Sequence, residues 1–218
     1  MRSPRTLALT VLLITGVCAS AAGQYPVDRS TRLYGQAGYD IPGAPQVFEQ
    51  LWNLGVTTSV GVGIPATDRI MLRPGVSISR FGLNHGLARS YLYEPVDEMR
   101  GGVYRALTVH VDALIFLAPA STTLNLYGVA GGGYYSGGLG TMEPGDLDLL
   151  SAWADAAGGA ARARAGLGLQ LRVTDRLSTF FEWSLDGAFA GSTTILHAAG
   201  TTGIAFTLSG GESTDTSR

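Results

Sequence analysis

The chain predicts an all-β fold: an eight-stranded antiparallel up-and-down transmembrane β-barrel. Three observations predict it. Eight stretches alternate apolar and polar residues with a period of two, their connections are alternately short and long, and an export leader precedes them. A barrel whose ends meet different compartments shows this alternation, because only the outward loops are free to grow.

The leader has a positive start at Arg2 and Arg5, an apolar run from Leu7 to Val17, and the small-residue site Ala19-Ser20-Ala21. Residues 1–23 therefore read as a signal peptide, cut after Ala21 or Gly23. Val17 stands before Cys18 where lipidation would need a small residue. A processed chain without Cys18 holds no cysteine, which excludes disulfides and thiolate metal sites. The next residues, 24–30, read as a lead-in and 31–208 as the barrel; the polar tail 209–218 has nothing apolar to pack and reads as disordered. Charged residues are 15% of the chain, against about 25% in soluble proteins. No window is long and apolar enough for a spanning helix, so the low charge points to lipid-facing strands. A net charge of −2 gives no reason to expect nucleic acid.

The first strand lies near Arg32–Tyr39. In the second, Val56, Thr58, Val60, Val62 and Ile64 share one face and Thr57, Ser59, Gly61 and Gly63 the other. The turn 66–69 follows. The third strand sets Ile70, Leu72, Val76 and Ile78 against Met71, Arg73, Gly75, Ser77 and Ser79, with Pro74 inside it marking a bulge or local distortion. The fourth sets Leu107, Val109, Val111, Ala113 and Ile115 against Thr108, His110, Asp112 and Leu114. A fifth runs to about Tyr135. The sixth sets Ala163, Ala165, Leu167, Leu169 and Leu171 against Arg162, Arg164, Gln170 and Arg172. The seventh sets Leu177, Phe181, Trp183 and Leu185 against Ser178, Glu182, Ser184 and Asp186, and an eighth spans Leu196–Leu208.

The turns 66–69, 118–121 and 174–176 are hairpin-sized, whereas 41–54, 82–102 and 136–159 are long and 188–195 is intermediate. The short turns and both termini are expected on the periplasmic side. A soluble lipocalin-like barrel would carry charge on its outer strand faces; the second strand's polar face has none, which suits a narrow lumen. Tyr39, Trp52, Tyr91, Tyr93, Tyr134 and Tyr135 fall near strand ends, where an interfacial girdle would sit.

The candidate site is a lumenal charge network of Arg73, His110, Asp112, Arg162, Arg164, Arg172, Glu182 and Asp186, with Glu182 paired to Arg164 or Arg172 across the ladder. Its expected role is a polar plug. No Ser-x-x-His or equivalent spacing accompanies His110, and His85 and His197 lack metal-ligand company. The run Gly131–Gly140 lacks the Lys-Ser/Thr of a phosphate loop. Glu143, Asp146, Asp148 and Asp155 do not have the spacing of a calcium loop, and Leu147–Ala157 suits a short helix over the barrel mouth. No catalytic residue, metal or cofactor is expected.

Phe48-x3-Trp52-x2-Gly55, Gly61-Val-Gly-Ile64, Thr67-Asp68-Arg69 and Leu72-Arg73 resemble the small outer-membrane β-barrel domain family, relatives of the OmpA transmembrane domain and OmpX. The resemblance covers roughly 30–208. It implies a monomeric Gram-negative cell-envelope protein, placed in outer-membrane lipid by the barrel-insertion machinery, with an unknown extracellular ligand at its loops. These barrels usually end on an aromatic residue, whereas here Phe206-Thr207-Leu208 is followed by the polar tail. Two other classes are compatible with the chain: a lipid-modifying enzyme resembling lipid A deacylases, and a secreted ligand-binding barrel.

Overall fold

Period-two alternation becomes the two faces of a closed wall. A computed structural model describes residues 30–86, 100–118, 122–139, 142–143, 159–190 and 193–208. Its elements are β1 (Arg32–Pro42), α1 (Gln46–Leu51), β2 (Gly55–Pro65), β3 (Ile70–Gly82), β4 (Arg100–Gly101), β5 (Val103–Phe116), β6 (Leu124–Leu139), β7 (Met142–Glu143), β8 (Ala160–Arg172), β9 (Leu177–Ala190) and β10 (Thr193–Thr207). Strands β1, β2, β3, β5, β6, β8, β9 and β10 pair antiparallel with their sequence neighbours, and β10 closes on β1. The short β4 and β7 pair with each other, joining the second long connection to the third. The leader, the lead-in up to residue 29, the tail, Tyr91, Tyr93 and the 147–157 segment lie outside the described residues.

The wall is apolar outside and polar within. Leu167 and Leu185 on the outer face are 72% and 64% exposed, while Asp112 and Glu182 inside are fully buried. A soluble barrel needs the reverse; this distribution suits a wall solvated by hydrocarbon. At about 3.3 Å per residue and a tilt of roughly 40°, β3 rises about 25 Å between Ile70 and Arg80, the height of an outer-membrane apolar band.

Two expectations are revised, and of the two readings at Pro74 the local distortion holds. First, 188–195 is not an intermediate loop: Thr193 pairs with Ala190, so β9 and β10 meet in a tight hairpin. Its Gly, Ala, Ser and Thr residues carry too little apolar contrast to show alternation. Second, the glycine run after Gly131 continues β6 to Leu139. Pro74 does not insert a residue. The β2–β3 ladder is interrupted between Gly61↔Gly75 and Ile64↔Leu72 and resumes in the same register, because proline has no N–H to donate.

Candidate functional site: the ion-paired lumen

Inward positions stack into three layers between the end bearing the short turns (the turn end) and the end bearing the long connections (the loop end). At the turn end Tyr34, Met71, Leu114, Phe116, Tyr127, Val129, Phe180 and Ala205 form one buried cluster. Tyr34 donates to Met71 Sδ at 3.1 Å, and the Phe116 and Tyr127 rings lie 5.0 Å apart. All of these side chains come from the barrel strands.

Above them lies the charged layer. Arg73 donates to both oxygens of Glu182, at 2.6 and 2.9 Å, and to Asp112 at 3.1 Å. Arg164 bridges the same carboxylates at 2.9 Å (Asp112) and 3.1 Å (Glu182). Arg162 pairs with Asp186, which also accepts from Ser184 at 3.1 Å. Tyr127 reaches up from the apolar cluster and donates to Glu182 at 2.8 Å. Two unlike charges buried together are tolerable because each keeps several charge-assisted partners.

Two glycines make these contacts geometrically available. Gly131 sits between Asp112 and Arg164 in adjoining ladders, and Gly168 sits between Tyr127 and Glu182. A Cβ at Gly131 would collide with the Asp112 carboxylate, and one at Gly168 with the Tyr127 ring. Each glycine therefore lets a polar side chain reach across an intervening strand.

Of the eight candidate residues, seven come together. Arg73, Asp112, Arg162, Arg164, Glu182 and Asp186 form the network, and His110 adjoins it with Nε2 3.7 Å from Asp112 Oδ2. Arg172 does not join. It lies at the turn end, half-exposed, bonding Thr174 O and Asp175 O at 3.3 Å and facing the Asp175 carboxylate at 3.5 Å. It shares a face with Arg164 but not a depth, so Glu182 pairs with Arg164. His110 is buried at an inward position of β5. His197 and Asp40, which stand outside the candidate set, face each other inside at 3.5 Å. The inward parity of β1 and β10, carried farther along each strand, would have found them.

Above the charges, Gln36, Asp40, Ser77, Thr108, His110 and Thr201 line a polar cavity of about 20 Å³, room for about one water. The loop end is then capped. Fully buried Phe48 of α1 packs against Phe81 and Tyr104 with ring centroids 5.4 and 5.8 Å apart, and Trp52 against Tyr104 at 5.5 Å. Trp52 and Tyr135 are thus core groups rather than members of a girdle, while Tyr39 and Tyr134 do face outward. Backbone bonds tie the segment to the wall on both sides: Gly43 N and Ala44 O to Leu196, and Asn53 N to Gly82 O.

An apolar outer band around a buried, ion-paired lumen defines a small transmembrane β-barrel of the outer membrane. Among solved structures, the chain is similar to neisserial surface protein A, with 11% identity, 82% of this chain and 97% of that chain covered, and a TM-score of 0.54. It also matches Ail, the attachment invasion locus protein of Yersinia pestis, with 10% identity, 83% and 100% covered, and a TM-score of 0.49. At these identities the likeness is one of fold. No family model and no curated protein matches the sequence.

Proposed function

We propose that this barrel is a non-conducting outer-membrane protein with a structural or surface-recognition role, acting through the surface at its loop end and performing no catalysis. The observation that carries this reading is the lumen: an aromatic layer at each end and charges neutralised between them leave a cavity for about one water rather than a path for solutes. In this reading the turn end and both termini are periplasmic, the insertion machinery places the barrel, and the long connections meet the extracellular ligand.

Two measurements test it. Purified barrel in planar bilayers gives no stepwise conductance; a stable conductance step overturns the closed-lumen reading. An epitope placed within 87–99 binds antibody on intact cells, whereas one at the C-terminus binds only after permeabilisation. The opposite pattern overturns the orientation.

A further inference from the structure

The outer wall carries charge at one place. Among the described strand residues, Arg80 and Arg105 are the two charged side chains at outward positions, and both are exposed. They stand directly opposite each other in the β3–β5 ladder. Neither makes a hydrogen bond or ion pair among the described residues. Like charges opposed across an antiparallel pair destabilise it, so this placement favours an anion, and none comes from the described residues. The pair lies about 25 Å from the turn-end edge of the apolar band, at the level of the lipid headgroups.

Toward the turn end a groove of about 720 Å³ crosses the wall from β1 to β6, lined in part by Val60, Pro74, Val76, Val109, Val111 and Gly132. It lies where Pro74 interrupts the β2–β3 ladder and where glycines carry no side chain. The groove is continuous with the lipid-contacting band, so its occupant is hydrocarbon. We infer that the arginine pair and the groove form one binding site for an anionic lipid with a phosphate-bearing headgroup, for which phosphatidylglycerol serves as the probe. The two guanidinium forks take the headgroup phosphate, and the groove takes an acyl chain.

Native mass spectrometry of the folded, detergent-solubilised barrel tests this with phosphatidylglycerol and phosphatidylcholine of the same chain length. Wild type retains phosphatidylglycerol in preference to phosphatidylcholine. Arg80→Gln with Arg105→Gln lowers phosphatidylglycerol affinity about 30-fold, the factor two arginines supply near an anionic surface, and leaves phosphatidylcholine unchanged. Both side chains are exposed, so heat-modifiable gel migration remains that of wild type. Gly132→Leu tests the groove separately: a Cβ there meets only the Arg162 carbonyl, at 3.4 Å. This variant loses long-chain phosphatidylglycerol and keeps the short-chain lipid. Equal retention of the two lipids by wild type, unchanged phosphatidylglycerol affinity without the arginines, or displacement of the lipid by inorganic phosphate alone would each overturn the site.

Discussion

The two ends of the lumen are both closed by aromatic side chains, but the closures are built differently. At the turn end every plugging group, from Tyr34 to Phe180, projects from a barrel strand and is held by the register of the wall. At the loop end Phe48, Leu51 and Trp52 arrive on a connection and meet Phe81, Leu83, Tyr104 and Tyr135, which belong to strands or their ends. A strand-borne plug can open only if the barrel opens. A loop-borne cap can lift by breaking the bonds of residues 43–44 to Leu196 and of Asn53 to Gly82, a local event of the kind that costs less than global unfolding.

The largest effect is expected where the turn-end plug joins the charged layer. Glu182→Gln removes the carboxylate that receives Arg73, Arg164 and Tyr127, leaving buried guanidinium charge uncompensated. Urea unfolding of the barrel in detergent should show a loss of about 3–5 kcal/mol. Adding Arg73→Met should cost much less than it does alone, since the two residues act as one unit. A loss near zero for Glu182→Gln would mean that the two layers are independent.

Next in size is the contrast between closures. Phe116→Ala at the turn end should cost about 3–5 kcal/mol in the same assay, as expected for a buried phenyl group. Phe48→Ala should cost less, yet admit reagents. A thiol introduced as Ser77→Cys, on the lumenal cavity, should be labelled about tenfold faster when Phe48 is truncated, the factor supplied by about 1.4 kcal/mol of lost closure. Phe116→Ala should leave that labelling rate unchanged. Equal acceleration by both substitutions would erase the distinction between plug and cap.

The smallest effect belongs to Arg172, whose contacts lie at the exposed turn-end rim. Arg172→Ala should shift stability by no more than about 0.5 kcal/mol. A loss comparable to that of Glu182→Gln would place it in the network after all.

The alternation in Gly55–Ile64 and Arg162–Val173 was enough to assign each side chain to the lipid or lumen face, because β-strand geometry makes parity a local property. The same parity identified most of the charged layer, since a barrel this narrow brings inward charges from opposite walls within bonding distance. It could not place Arg172, because depth along the lumen depends on the stagger between strands. Asp40 and His197 were obscured by uncertain strand ends in Gly- and Ala-rich sequence. The glycine run from Gly131 showed only what it lacks as a phosphate loop, and the role of Gly131 appears only when Asp112 and Arg164 are seen reaching across it.

By itself, then, the sequence determined the barrel, the partition between faces and most of the inward charges, all of which follow from residue type and a period of two. Tertiary structure decided which charges pair, that a loop segment caps one end, and that Arg80 and Arg105, far apart along the chain, become neighbours on the outer wall. Those outcomes depend on register and closure, which sum constraints from every strand and are written in no single segment.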